Sequence, residues 1–240
     1  VFIVGPVLAG CIISQWGYGI LFTLASVIFL ASNIPTLITK ENLKPGSFSY
    51  KTAYKDLFSK ENRKSFLAYI GFGEELVAVI VWPVFISIVV TNIFDLGLLI
   101  TATTFITTLA VFYIGKLTDS QNKRKILALG SYVYALGWFF RVFIFNTLGV
   151  FFVDTLSRLG KNIISVPLIA ITYEKAKDQE ASKKRAVMSR ILFFEMGLII
   201  GKILAIVAIY TLTLFIGDES LAFKITFILA GSMTLLYMLL

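Results

Sequence analysis

GKLTDSQNKRK, residues 115–125, separates two long apolar runs, 95–115 and 126–145, and carries four cations and one acid. A helix needs about 20 mostly apolar residues to cross the hydrocarbon core of a bilayer, so each flanking run is long enough to span it. A short turn rich in Lys and Arg between two such runs belongs on the cytoplasmic side. This one stretch therefore predicts a pair of membrane helices and their orientation.

The same ruler laid along the chain gives a short first run, 1–16, and spans near 20–38, 66–90, 95–115, 126–145, 148–174, 188–215 and 221–240, eight segments in all. Composition agrees: 58% of the 240 residues are hydrophobic and the mean hydropathy is +0.86. A soluble domain of this length would sit nearer half apolar, with its charges dispersed. Strand-like alternation is not seen, which argues against a barrel and for an all-α polytopic membrane protein.

The formal net charge of +8 points to the bilayer and not to nucleic acid, because the cations are confined to a few inter-segment stretches. One holds Lys40, Lys44, Lys51, Lys55, Lys60, Arg63 and Lys64; a second is the 115–125 turn; a third holds Lys175, Lys177, Lys183, Lys184, Arg185 and Arg190. The alternate turns QWGYG (15–19), TNIFD (91–95), FNT (145–147) and GDES (217–220) contain no Lys or Arg. Residues 40–64, 115–125 and 175–187 are thus expected in the cytoplasm and the others outside, in a multi-pass protein of the cell membrane. Residues 40–64, with Pro45, Gly46 and a short amphipathic helix across TAYKDLF, read as a linker between helical groups at 1–39 and 65–240.

Cys11 is the only cysteine and histidine is absent, which excludes a disulfide within the chain and the usual zinc and haem ligand sets. No metal or cofactor is expected, and proton chemistry must fall to carboxylates. A nucleophile–base arrangement is not legible either, so the chain does not read as an enzyme.

The turn also resembles the G-x-L-x-D-x-x-G-R-K-R signature of the major facilitator superfamily, which lies between the second and third helices of each six-helix half. Gly115, Leu117, Asp119, Lys123, Arg124 and Lys125 match, and Asn122 replaces the second glycine. Asn is the residue after glycine that most readily takes left-handed backbone geometry. GPVLAG, residues 5–10, resembles the G-P-x-x-G-G core of the superfamily's antiporter helix, with Gly5 and Pro6 at the kink; a plain small-residue packing face is the other reading. LSRLG, residues 156–160, resembles the helix that carries a buried arginine, and GLIIGKILA, 197–205, repeats the opening VFIVGPVLA. The resemblance implies a helical bundle in which this chain holds helices five to twelve of twelve, with earlier helices of the same protein as partners. On that register the chain is expected to be cut at Val1, and again at Leu240.

Ionisable residues lie inside the spans: Glu74, Glu75, Arg141, Asp154, Arg158, Lys161, Glu195 and Lys202. Each would cost roughly 2.5–3.5 kcal/mol facing lipid at mid-bilayer, so they are expected to face the bundle interior or snorkel from span ends. Asp154, Arg158, Lys161 and Ser165 recur at i, i+4, i+7 and i+11 and form one polar stripe. Asp154 and Arg158 have the spacing of an internal salt bridge, and Arg141, near the end of its span, is expected to snorkel outward. Glu195 and Lys202, seven apart, share a face and read as a pair able to open and close between two states. Glu74 lies roughly 13 Å into its span, and because adjacent positions point about 100° apart, only one of Glu74 and Glu75 is expected to face a cavity. A proton-coupling or substrate-binding role and a structural helix–helix bond are both open to them. Pro83 is expected to kink the same span, and the threonines of 101–108 to serve interhelical packing.

These features point to a secondary transporter moving a small solute by alternating access. GPVLAG favours proton-coupled efflux, with Glu74 as the first candidate for the proton-binding carboxylate, Glu195 and Asp154 next, and Arg158 as the cation beside it. Proton-linked uptake of a sugar or metabolite is the second reading, and a non-transporting receptor or scaffold on the same fold a third.

Overall fold

The computed structural model describes residues 4–38, 50–117, 122–183 and 187–240, and these are overwhelmingly helical. By length and apolarity six helical stretches could cross a membrane: Gly5–Ser32, Arg63–Val89, Ile93–Val111, Lys123–Phe143, Ile191–Phe215 and Glu219–Leu239. The chain is an all-helical multi-pass membrane protein.

The first helix, α1 (Gly5–Ser32), begins with Pro6 in its first turn, where the missing N–H would have no helical partner. Gly17, with φ 80° and ψ 174°, divides it into two arms. That backbone geometry is open to glycine and strained for any other residue, and it falls in QWGYG, where the sequence marks a break between two apolar runs. A five-residue helix, α2 (Ile34–Ile38), and an amphipathic one, α3 (Tyr50–Leu57), follow. The amphipathic helix starts just ahead of the TAYKDLF stretch expected to form it, and it buries Leu57.

The next span is built from α4 (Arg63–Ile70), α5 (Gly73–Leu76), a π-helical turn at Val77–Val81 and α6 (Trp82–Val89). Pro83 explains the irregularity. It has no N–H to offer the turn before it and its ring crowds that turn, so the helix widens to an i→i+5 pattern just upstream. The span continues through this turn without a break.

Four long helices follow: α7 (Ile93–Leu117), α8 (Lys123–Phe140), α9 (Thr147–Lys183) and α10 (Val187–Phe215). The last, α11 (Glu219–Leu235), is capped by Asp218, which accepts from the backbone N–H of Ser220 at 2.9 Å. At about 55 Å, α9 is long enough to cross a bilayer, but Asp154, Arg158 and Lys161 place it outside the six most apolar stretches. Its pairing with α8 is the most extensive in the bundle.

Close helix crossings occur where side chains are absent. A Cβ on Gly201 of α10 would lie 2.3 Å from the Ile70 carbonyl oxygen, and one on Gly73 would lie 2.3 Å from the Gly201 carbonyl oxygen. The seam of α4 and α5 with α10 is therefore backbone against backbone, the contact by which membrane helices gain dispersion energy without a hydrophobic drive. By contrast α1 buries only Gly10 and touches the bundle through α7, where the Val7 N–H donates to Thr101 at 3.1 Å. The remaining threonines of that group mostly turn back on their own helix: Thr104 and Thr108 donate to carbonyls four residues earlier, both at 2.7 Å.

Candidate functional site

Glu74 is fully buried. The backbone leading to it is tightened, with the N–H of Glu74 donating to Gly71 and that of Glu75 to Phe72, before the π turn widens the helix again. This change of pitch sits within one turn of the carboxylate. Three donors from three other elements converge on it: the Tyr134 hydroxyl of α8 at 2.6 Å, the Lys161 ammonium of α9 at 2.5 Å and the Tyr237 hydroxyl of the 3-10 turn Leu236–Leu239 at 2.9 Å. A carboxylate taken out of water costs several kcal/mol unless its lone pairs are filled, and here they are filled by two hydroxyls and a cation. Lys161 also lies 5.3 Å from the Phe72 ring centroid, 5.5 Å from Tyr134 and 5.7 Å from Tyr237, within range of cation–π attraction.

About two turns away on α9, Asp154 forms a second buried centre. It accepts from the Trp82 indole N–H at 2.9 Å and from Arg158 Nε at 2.6 Å, the internal salt bridge expected from the i,i+4 spacing. Arg158 thus belongs to Asp154, and the cation on Glu74 is Lys161, which corrects the expectation that Arg158 stands beside Glu74. The polar stripe of α9 is real, but its members serve different partners.

Arg141 does not snorkel. Its guanidinium is buried between two indoles, 3.9 Å from the Trp82 centroid and 3.7 Å from that of Trp138. Nε and Nη1 have no hydrogen-bond partner among the described residues, and the same holds for Trp138 Nε1 and Ser157 Oγ. The 3-10 turn Arg141–Phe143 packs on α11 and carries the residue inward, where two π faces replace the water an exposed arginine would have. Trp138 lies three residues before Arg141 on the adjoining helix, and Trp82 comes from a span distant in sequence.

Beside the Glu74 centre lies a cavity of about 400 Å³, bounded by α9, α10 and the residues around α5. Phe72, Glu75, Lys161, Ser165, Glu195 and Tyr237 line it among other, mainly apolar, side chains. So Glu75 faces the cavity while Glu74 turns into the protein. Glu75 pairs with Lys202 at 2.9 Å. Glu195 is not the partner of Lys202: residues seven apart on a helix are about 10 Å apart along its axis, and Lys202 instead meets the acid of the neighbouring span. Glu195 makes no ion pair among the described residues and presents its carboxylate to the cavity.

Among the turn residues, Lys123 forms an ion pair with Glu174 that ties the start of α8 to α9, while Arg124 and Lys125 are exposed. Gly115 and Leu117 belong to the end of α7, and Asp119 lies outside the described residues. A Cβ on Gly5 would meet nothing within 4 Å, whereas the Pro6 carbonyl oxygen approaches Gly97 of α7. Sequence reasoning missed Tyr134, Tyr237 and Trp82 as partners of the buried acids. Tyrosines in apolar spans carry no sign of which carboxylate they will meet.

No family model, curated protein or solved structure matches this chain.

Proposed function

We propose that the chain is the carboxy-terminal portion of a secondary transporter of the major facilitator type, which moves a small solute across the cell membrane by alternating access and couples it to protons. The two arms of α1, α9 and the five other apolar stretches would supply eight crossings, helices five to twelve of twelve, with 40–64, 115–125 and 175–187 on the cytoplasmic side. The resemblance of GKLTDSQNKRK to the superfamily signature supports the family, and that of GPVLAG supports efflux.

One observation carries the mechanism: a wholly buried carboxylate, Glu74, shares Lys161 with a cavity of about 400 Å³. A volume of that order suits a small ligand. With Glu74 ionised, Lys161 is held on it and the two tyrosines point the same way. Protonation of Glu74 removes the charge that holds Lys161, leaves the ammonium free to move toward the cavity and weakens the α5–α9 tie. Loading of a proton and occupancy of the cavity are thereby linked through one lysine.

The test is transport by the full-length protein in proteoliposomes, with ethidium and radiolabelled glucose as probes and an imposed pH gradient as the drive. Ethidium movement against an inward proton flux supports the reading, and a Glu74→Gln variant should lose the pH-gradient drive. Full activity with full pH dependence in that variant sinks the role of Glu74. Glucose uptake with proton entry would turn the assignment to symport, and absence of exchange for every solute would turn it to a receptor or scaffold.

A further inference from the structure

A second cavity, of about 310 Å³, opens where α4 and α8 begin and α9 passes them. Among the described residues its charged lining is Lys64 from α4, Arg124 from α8, Lys175 from α9 and Glu61, three cations against one acid. Lys175 is already oriented, donating to the buried Ser65 hydroxyl at 2.9 Å and to the Leu240 carbonyl at 3.0 Å. Lys64 and Arg124 are exposed and make no ion pair among the described residues. The opposite wall is apolar, with Leu127, Met238 and Leu239.

Position narrows the ligand. Two of the membrane-crossing stretches start here, at Arg63 and Lys123, so the cavity lies at the same end of both apolar spans, where hydrocarbon would give way to water. Asn62 and Asn122, at the starts of α4 and α8, make no side-chain cap bond among the described residues, and the positive ends of two helix dipoles adjoin the cations. A ligand for this place carries a phosphate for the cations and helix starts and an apolar continuation for the leucine and methionine wall. We propose that the cavity binds the phosphodiester headgroup of an anionic phospholipid, clamped by Lys64, Arg124 and Lys175. Bound there, the lipid joins the starts of α4 and α8 to α9 in one electrostatic contact.

Native mass spectrometry of the full-length protein, equilibrated in micelles with phosphatidylglycerol or phosphatidylcholine, tests the site. The expected result is retained phosphatidylglycerol and no retained phosphatidylcholine. Removing two surface cations in Lys64→Ala/Arg124→Ala should weaken retention about 30-fold. A control that removes equal charge outside the cavity, Lys55→Ala/Lys125→Ala, should change it by less than about threefold because those charges are screened. The swap Lys64→Arg/Arg124→Lys keeps the charge and should restore retention, which separates loss of the site from loss of the fold. Equal losses in the two alanine pairs would mean a diffuse basic surface and overturn the proposal. So would unchanged retention in the first pair, or displacement of the lipid by equimolar inorganic phosphate, which would mark a soluble ligand.

Discussion

Glu74 and Glu75 are chemically identical neighbours in one turn, yet they live in different solvents. Glu74 is wholly buried and takes hydrogen bonds from Tyr134, Lys161 and Tyr237, contributed by three separate elements. Glu75 lines a cavity with 39% of its side chain exposed and, among the described residues, holds only Lys202, itself 40% exposed. The first is a buried acid with two buried tyrosine hydroxyls and a lysine that also reaches the cavity; the second is an ion pair that water can replace at little cost. In the transport reading proposed above, Glu74 is the acid whose protonation the fold would feel and Glu75 the one that faces the cavity.

The contrast is open to attack at several strengths. Glu74→Ala strands a lysine and two tyrosine hydroxyls around an unfilled space, and should lower the stability of the full-length protein by about 3–5 kcal/mol. Equilibrium unfolding in mixed micelles reads this directly, and a loss below that of Glu75→Ala would reverse the comparison. Tyr237→Phe removes one donor to the charged carboxylate and should cost about 1.5–3 kcal/mol by the same measurement, with most of that cost gone in a Glu74→Gln background.

Gly201→Ala probes the seam that sets α4 and α5 against α10. Its methyl group would enter the space of the Ile70 carbonyl, so an overpacking cost of about 1–3 kcal/mol is expected. Gly19→Ala, with nothing within 4 Å, should show none of it. At the weak end, the coupling between Glu75 and Lys202 in a double-mutant cycle should fall at about 0–1 kcal/mol and fade in high salt, while that between Glu74 and Lys161 persists.

Some of this was legible in the residues. Long apolar runs and basic turns foretold a polytopic helical protein, and the i,i+4 spacing foretold the Asp154–Arg158 bond, because these are local rules of length and pitch. The Glu195–Lys202 pairing failed for a local reason as well, since a shared helix face two turns apart is not contact. Arg141 failed because burial beside Trp82 depends on a span distant in sequence. Tyr134 and Tyr237 were invisible as ligands of Glu74 for the same reason.

By itself, then, the sequence determined that the chain is helical with apolar spans of membrane length, where along it the basic stretches fall, that Pro83 disturbs its helix, that QWGYG breaks two apolar runs, and that charges within the spans must avoid lipid. All of these follow from the backbone's need for hydrogen bonds in hydrocarbon and the cost of a charge there. Apart from the i,i+4 pair Asp154–Arg158, tertiary structure decided which charge meets which. Glu74 found Lys161, Lys202 found Glu75 and Arg141 found two indoles because helix crossings at Gly73 and Gly201 and at the α8–α9 interface bring distant residues within hydrogen-bond reach. Pairing in a membrane is a matter of a few ångströms between helices, and sequence spacing specifies distance only along one.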